Sequence, residues 1–250
     1  SSYRGWWNGI AAGDFDEDGR IDLIASNWGR NTKYERYRTE PIRLSYGDID
    51  SNETVETFEQ VYDVASERWG SIRDLIVMGS AIPSLQTRTH SYREFAEKGL
   101  EWAFGSRVKE LGRHEANWLE STVFLNCGDN FSATPLPIEA QFAPSFGVVV
   151  GDFDGDGHED VFLAQNFFST QPETPRYDAG LGLMLQGAGD GSFESVTASQ
   201  SGLRILGEQR GAASSDFDGD GRLDLVVTQN GAQTRLFHNT ASRAGHRVRL

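Results

Sequence analysis

The hydrophobic pattern of this chain consists of short apolar runs on either side of acidic turns. Residues 148–150 (VVV) precede one such turn and residues 161–163 (VFL) follow it, and residues 9–12 and 23–25 flank another turn in the same way. Apolar runs this short fit buried strands better than helices. The pattern therefore predicts a repeated unit of strand, acidic loop and strand, and an all-β fold.

The order of the apolar runs predicts four-stranded sheets. For residues 1–64 we expect one sheet, in which the turn at 48–56 joins the third strand to the fourth, with strands near 8–15, 21–27, 42–48 and 55–62. A later sheet is predicted with strands near 145–153, 159–166, 181–186 and 192–196, and a further one begins at Arg210. Its acidic turn starts roughly 64 residues after that of the preceding sheet, and a period of this size indicates a repeat architecture.

Residues 65–120 interrupt this pattern with apolar residues at helical spacing. Ser91 and Glu94 form a capping box that opens a predicted helix to Phe104, which Gly105 ends. A third helical piece is expected around Val108, Leu111, Trp118 and Leu119. The simpler interpretation of this insertion is a cap that packs over a sheet edge, and the alternative is a lid or docking element.

Four nine-residue loops carry acidic residues at the same spacing. Asp14–Asp22, Asp152–Asp160 and Asp216–Asp224 have carboxylates at positions 1, 3, 5 and 9 and glycine at position 6. The loop Asp48–Glu56 has Asn52 at position 5 and Glu53 in place of the glycine. Alternate residues of a tight loop can direct their oxygens at one centre, and Ca²⁺ takes six to eight oxygens. We therefore predict calcium sites, with the Asp48 loop the weakest or empty, and an acidic surface turn without metal as the alternative.

An EF-hand would require Glu at position 12, which is Ala25, Leu163 or Val227 in the three full copies. We expect position 7 to contribute only its backbone carbonyl oxygen. The predicted ligands are Asp14, Asp16, Asp18, Arg20 and Asp22; Asp48, Asp50, Asn52 and Glu56; Asp152, Asp154, Asp156, His158 and Asp160; and Asp216, Asp218, Asp220, Arg222 and Asp224.

The loop and its flanking strands resemble the FG-GAP repeat, also called the VCBS repeat, of integrin-alpha-like β-propellers. Phe146-Gly147 before 151–157 (GDFDGDG) and the segment 216–225 carry this resemblance. It implies a β-propeller of about three to four four-stranded blades, with one blade at 1–64, a helical insertion at 65–120 and further blades with two calcium loops at 121–250. The tail 235–250 is similar to the approach to an ASPIC/UnbV-type segment. Its end at 247–250 has the pattern of an interrupted strand, as expected for an excised piece.

The formal net charge is −14, and nearly half of the acidic residues lie in the four loops. Bound calcium would neutralise much of this charge. The sequence has no basic stripe of the kind that binds nucleic acid. It also has no run of the 18 or so apolar residues that would span a membrane. Cys127 is the only cysteine, so no internal disulfide is possible.

The strand ends opposite the calcium loops collect aromatic, amide and arginine side chains. Such groups suit carbohydrate or peptide recognition by stacking and hydrogen bonding. In the alternative interpretation, the asparagines cap strand ends and the tryptophans wedge between sheets. The predicted ligand-binding residues are Trp6, Trp7, Asn27, Trp28, Arg30, Asn166, Phe167, Arg210 and Asn230.

These observations predict a calcium-binding propeller module for binding or adhesion, with a protein or carbohydrate ligand. The alternative is the propeller portion of a secreted carbohydrate-active enzyme. The Asp-x-Asp motif also occurs in haloacid-dehalogenase-type phosphatases, but such an enzyme needs one site and the motif recurs here. Because the scattered histidines form no catalytic spacing, no catalytic residue can be named and we expect no enzyme. Sites of extracellular affinity require millimolar calcium, so we expect a secreted, periplasmic or cell-surface protein.

Overall fold

The computed structural model describes residues 3–89 and 91–242, and all its sheets are antiparallel. The fifteen strands are β1 Gly9–Gly13, β2 Asp22–Ser26, β3 Ile42–Gly47, β4 Glu56–Asp63, β5 Arg68–Ser71, β6 Gly112–Ala116, β7 Thr122–Asn126, β8 Phe131–Pro135, β9 Ser145–Gly151, β10 Asp160–Gln165, β11 Leu183–Gly187, β12 Phe193–Val196, β13 Glu208–Ser215, β14 Asp224–Asn230 and β15 Ala232–Phe237. The helices are α1 Leu75–Ala81, α2 Pro83–Arg88, α3 Tyr92–Phe104 and α4 Ala198–Ser201.

The chain divides into two compact units. The repeat unit comprises Trp6–Lys33 and the chain from Leu119 onwards, and the inserted unit comprises Tyr34–Trp118 with the segment before Trp6. The repeat unit contains sheet I (β1-β2-β7-β8), sheet II (β9 to β12 in order) and sheet III (β13-β14-β15). The inserted unit contains one sheet in the order β5-β4-β3-β6.

Sheet II confirms the strands predicted for its part of the chain. Its four strands follow one another as an antiparallel meander, and β10 is buried at every residue. The run 161–163 pairs with 148–150 in register. Because β10 is central and covered on both faces, its sequence is a continuous apolar run rather than an alternating one.

The prediction of a single sheet for residues 1–64 was wrong. The predicted third and fourth strands are β3 and β4 of the inserted unit. Strand β2 pairs instead with β7, where Ile24 lies opposite Val123. The insertion therefore falls between the second and third strands of sheet I. Local apolar patterning marks which residues form strands, but it does not identify a partner strand so distant in sequence.

The segment 65–120 is only partly the helical insertion that the sequence predicts. Helix α3 begins after Ser91, whose hydroxyl accepts the Glu94 N–H at 3.1 Å, and it ends at Gly105 as predicted. The segment also contains strands β5 and β6, and the expected third helical piece is a 3-10 turn at 105–109 followed by β6. The helices and the sheet share one core of buried apolar residues, which includes Ile49, Phe58, Ile82, Leu85 and Leu100.

The first strands of sheets I, II and III pack against one another through glycine. A Cβ atom on Gly9 would lie 2.1 Å from the carbonyl oxygen of Phe146, and one on Gly147 would lie 3.1 Å from the carbonyl oxygen of Arg210. Gly147 follows Phe146 as Gly211 follows Arg210, so both contacts repeat the same geometry. Apolar clusters fill the space between sheets I and II and between sheets II and III.

Two further predictions concern the last residues of the sequence and the absence of a membrane-spanning segment. The predicted strand at 247–250 lies outside the described residues, as does the second half of the ASPIC/UnbV-like segment. None of the helices in the described part of the chain has the length and apolar character needed to cross a bilayer.

Candidate metal centres and ligand face

Each acidic loop joins two neighbouring strands of a sheet. The Asp14, Asp152 and Asp216 loops join the first strand to the second in sheets I, II and III. The Asp48 loop joins β3 to β4, so it does not link the third and fourth strands of sheet I as the sequence suggested. It connects the first two strands of the inserted sheet in chain order, but β3 is a central strand there, paired with both β4 and β6.

The position-1 carboxylate closes each loop by accepting the N–H of position 6. The distances are 3.1 Å for Asp14, 2.9 Å for Asp48, 3.1 Å for Asp152 and 3.2 Å for Asp216. The side chain at position 5 likewise accepts the N–H of position 7, for example Asp156 from His158 at 2.9 Å. The same turn is therefore present in all four loops, including the one with the divergent sequence.

The position-9 carboxylate anchors the loop to its sheet in the three full copies. Asp22 is fully buried, and its two oxygens accept the N–H groups of Phe15 at 2.9 Å and Asn126 at 2.7 Å. Asp160 and Asp224 make the equivalent pairs of hydrogen bonds, as Asp160 does with Phe153 and Gly187. This residue therefore tightens the loop and ties it to the third strand of the same sheet.

Three acidic side chains converge in each loop, with oxygens within 4.8 Å of one another. The converging sets are Asp14, Asp16 and Asp18; Asp48, Asp50 and Glu56; Asp152, Asp154 and Asp160; and Asp216, Asp218 and Asp220. Each set contains three of the predicted ligands. A further converging set joins Asp218 to Asp224 and His238, while Asp22, Asp156 and Asn52 lie in the same loops but outside the converging sets.

Three carboxylate oxygens in these loops are buried and lack a hydrogen-bond partner among the described residues: Asp14 Oδ1, Asp50 Oδ1 and Glu56 Oε1. A buried carboxylate oxygen without a partner is costly unless a cation or donor satisfies it. The donors in the four loop sets are carboxylate oxygens, which are the ligands that hard cations such as Ca²⁺ prefer, and the set with His238 adds one imidazole nitrogen. The loops therefore fit a calcium ion.

Among the described residues, the position-7 side chains add no ligand atom to the converging sets. Arg20 and Arg222 form ion pairs with the position-5 residues Asp18 and Asp220. His158 reaches Glu17 in the Asp14 loop at 2.5 Å, and this carboxylate raises the pKa of the imidazole. These contacts are consistent with position 7 offering only its backbone to a metal, which stays a prediction.

Burial, neighbouring charges and hydrogen bonds shift the pKa values of the loop carboxylates in different directions. Burial raises the pKa of Asp160 to about 6, and it also raises the pKa of Asp154. The pKa of Asp16 is raised by desolvation and by the neighbouring Asp22. In contrast, the Asn239 N–H holds the pKa of Asp224 below its ordinary value. Raised pKa values are expected where carboxylates are gathered without a cation to compensate them.

Sequence reasoning missed the third-strand residues that complete the loops. The amide of Asn126 donates to Ile21 O at 3.1 Å, and the amide of Asn239 donates to Leu223 O at 3.2 Å. Gln186 reaches the position-3 carboxylate of Asp154 at 2.5 Å. The available signal was the asparagine that follows the apolar third strand in both 123–126 (VFLN) and 236–239 (LFHN).

The predicted ligand face contains a real aromatic cluster. Trp28 packs edge-on against Trp6 with ring centroids 5.7 Å apart, and it contacts Phe167 at 5.1 Å and Tyr177 at 6.0 Å. Arg210 extends the cluster, since its guanidinium lies 5.5 Å from the Phe167 centroid. The Nε1 atom of Trp28 is buried and has no hydrogen-bond partner among the described residues.

The other predicted ligand residues are engaged within the fold. Asn27 is fully buried and accepts the Trp6 and Trp28 N–H groups at 3.1 and 2.8 Å. Asn166 is also buried and donates to two backbone carbonyl groups. Asn230 donates to Glu208, while Trp7 packs on Phe124 and the Arg30 N–H bonds to Gln141 O. The asparagines thus do what the alternative interpretation expects, and the aromatic residues remain the candidates for contact with a ligand.

A scan against protein-family models gives no match for this sequence, and a search of the curated proteins gives none either. The residues and their geometry therefore carry the functional argument alone.

Proposed function

We propose that the chain forms part of a calcium-stabilised β-propeller of the FG-GAP (VCBS) kind, acting outside the cell in binding or adhesion. The observation that supports this most is the equivalence of the Asp14, Asp152 and Asp216 loops. They occupy the same place in three sheets and share the same internal hydrogen bonds. The first strands of neighbouring sheets also pack against each other through a glycine at the same position, as expected for neighbouring blades.

Calcium is the cation that the proposal places in the loops. The side chains at positions 1, 3, 5 and 9 of each loop would hold it, together with a backbone oxygen from position 7. An ion there would satisfy Asp14 Oδ1 and Glu56 Oε1 and relieve the mutual repulsion of the carboxylates. Its contribution would be structural, since it would fix the turn between the first two strands.

The proposed ligand contact is the aromatic cluster of Trp6, Trp28, Phe167 and Tyr177. The rings offer a stacking surface, while the Trp28 Nε1 atom is buried and could donate to a ligand only after the cluster opens. Sugar rings and extended peptides both use such pairs of contacts. Millimolar calcium outside the cell would keep the loops occupied and would maintain the conformation of the sheets that carry the aromatic cluster. This supports a secreted, periplasmic or surface location.

Two measurements test this function. Calorimetry should find at least three calcium sites per chain, and replacing Asp14, Asp152 and Asp216 with Asn should remove them.

In the presence of calcium, immobilised protein should retain soluble polysaccharides or matrix proteins. Trp28→Ala should abolish this retention while leaving calcium stoichiometry intact. Phe142→Ala, a change at an exposed aromatic outside the cluster, is the matched control. Absence of calcium binding would refute the proposal.

A further inference from the structure

A cavity of about 450 Å³ opens in the inserted unit, between strand β5 and helix α3. The described residues that line it lie between positions 37 and 99, all within the inserted unit. Its volume is in the range of sites for small molecules. We call it the β5–α3 cavity, and none of the acidic loops contributes a lining residue to it.

The cavity combines a buried apolar part with tyrosine rings towards solvent. Val61 and Phe95 line it with buried side chains. Tyr37, which is half-buried, and Tyr92, which is 54 % exposed, line it nearer the surface. A tyrosine supplies an apolar ring face together with a polar hydroxyl group. The cavity therefore offers stacking surfaces at its opening.

Two carboxylates at the cavity are held in place by hydrogen bonds. Asp63 accepts the Ser66 hydroxyl at 2.6 Å and the Ala65 N–H at 3.1 Å. Asp74 accepts the Val77 N–H at 2.9 Å. The oxygens of an ionised carboxyl group have lone pairs for further donors. These acceptors are therefore positioned before a ligand arrives, which lowers the entropy cost of binding.

The charges of the described lining residues balance. Arg68 and Arg73 offset the two carboxylates, and the Arg68 guanidinium already donates to the carbonyl oxygens of Ser66 and Glu97. An anionic ligand would meet the carboxylates, and a wholly apolar ligand would remove charged groups from water at a cost. The lining therefore favours a neutral ligand that carries hydroxyl groups.

Helix α3 lies against strand β5 where an extended peptide would have to pair. The Arg68 guanidinium bonds to Glu97 O, and a Cβ atom on Gly99 would lie 3.5 Å from Trp69 O. A peptide that binds by strand addition needs an open strand edge. A saccharide needs none, because its ring faces stack on aromatic side chains and its hydroxyl groups donate to carboxylates.

Gly70 leaves room within the cavity. It lines the cavity and pairs with Val61 on the neighbouring strand, and cross-strand pairs direct their side chains to the same face of a sheet. A Cβ atom on Gly70 would meet no atom within 4 Å apart from its chain neighbours. A side chain at this position would therefore suit the strand and extend into the cavity beside Val61.

We propose that the β5–α3 cavity binds a short neutral oligosaccharide, with sugar rings on Tyr37 and Tyr92 and hydroxyl groups on Asp63 and Asp74. A space of this volume takes a drug-sized ligand rather than a polymer. The retention of long polysaccharides through the aromatic cluster of the repeat unit is therefore a different property, and the two can be measured separately.

Calorimetric titration of the full chain tests this proposal with four neutral saccharides: cellotetraose, mannotetraose, xylotetraose and N-acetylchitotetraose. At least one should bind both the wild type and Trp28→Ala, which lacks the central ring of the aromatic cluster. Gly70→Val and Ala96→Leu enlarge lining residues on β5 and on α3, and each should weaken this binding by about tenfold or more. Tetragalacturonate should not bind, since its carboxylates would face those of the cavity.

A matched pair of variants on helix α3 tests the role of the tyrosine ring. Tyr92→Ala should weaken saccharide binding by about tenfold, because a stacking ring is lost. Trp102→Ala should bind like the wild type, because Trp102 is 43 % exposed on the same helix but does not line the cavity. Melting temperatures check that every variant is folded, and Gly70→Val and Ala96→Leu block the cavity independently of each other.

The outcomes separate this cavity from the other proposed sites. Failure of all four saccharides to bind, unchanged binding in both blocking variants, or loss of all binding in Trp28→Ala would each overturn the proposal. Tryptic peptides of casein that bind in place of any saccharide, and are lost in Gly70→Val, would also overturn it and would show a peptide site. Each of these results leaves the proposed calcium binding untouched.

Discussion

At the scale of single residues, the four loops differ in how they supply a left-handed backbone. Positions 4 and 6 have positive φ in every loop, and glycine fills both in the Asp152 and Asp216 loops. The Asp48 loop fills them with Ser51 at φ 64° and Glu53 at φ 67°. Left-handed backbone costs a residue with a Cβ atom roughly 1–2 kcal/mol. The Asp14 loop bears this strain at position 4, where Glu17 has φ 55°, but only the Asp48 loop bears it at position 6 as well.

Glu53→Gly should therefore raise the free energy of unfolding of the inserted unit by about 1 kcal/mol. The same change should strengthen calcium binding at the Asp48 loop if strain limits that site. Chemical denaturation with and without calcium measures both effects. Thr54→Gly, at the neighbouring position without positive φ, should be neutral or destabilising. Equal effects of the two substitutions would contradict the strain argument.

The raised pKa of Asp160 makes calcium binding at its loop depend on pH. With a pKa of about 6 in the folded protein, this carboxyl holds a proton at pH 5 that calcium must displace. Calorimetry in buffers of different ionisation enthalpy should detect proton release on calcium binding at pH 5, and little at pH 7.5. Asp160→Asn should remove that release. Asp224, whose pKa is lowered, should contribute none.

The raised pKa of Asp160 also determines how the free energy of unfolding changes with pH when calcium is absent. Because the pKa of Asp160 is higher in the folded than in the unfolded chain, its contribution favours folding at about pH 4 and is lost as pH rises through about 6. In chelator, the difference in unfolding free energy between wild type and Asp160→Asn should therefore change over this range. A constant difference between about pH 4 and 7 would show that the carboxyl titrates normally.

At the scale of elements, local sequence predicted what is locally encoded. The runs of sheet II and the capped start of α3 at Ser91 came directly from apolar spacing and capping chemistry. The pairing of β2 with β7 was not predicted, because the inserted unit separates Ile24 from Val123 in the sequence. The two residues come together only when the folded chain buries them. Likewise, the spacing of the loop carboxylates predicted that they converge, but Asn126 and Gln186 reach the loops only through the fold.

The position-9 carboxylate should stabilise its sheet even without metal. Asp22→Ala would leave the N–H groups of Phe15 and Asn126 without their acceptor, at about 1–3 kcal/mol for each group. Asp18→Ala removes an exposed carboxylate of the same loop, whose bonds are to the neighbouring residues of the turn. In chelator, denaturation should therefore show a large loss of stability for Asp22→Ala and a small one for Asp18→Ala. Similar losses would mean that Asp22 serves only the metal.

At the scale of the whole molecule, we expect the distribution of charge to couple folding to the proposed calcium binding. The chain has a net charge of −14, and its acidic clusters lie in both the repeat unit and the inserted unit. Bringing three carboxylates within a few ångström in each loop opposes folding when no cation is present. A cation that binds only the folded loops stabilises them by mass action, by about 2.7 kcal/mol per site at 100 times its dissociation constant.

The melting temperature should therefore rise steeply between micromolar and millimolar calcium. Magnesium should raise it far less, because it is smaller, demands octahedral geometry and gives up its water reluctantly. The variant with Asn at 14, 152 and 216 should start from a higher melting temperature in chelator, since three repelling charges are gone, and should then respond little to calcium. Calorimetric melting of both proteins along a calcium series measures these slopes. If the wild-type curve did not move across that range, the carboxylate repulsion would not govern stability, and the expectation of an extracellular location would lose its physical basis.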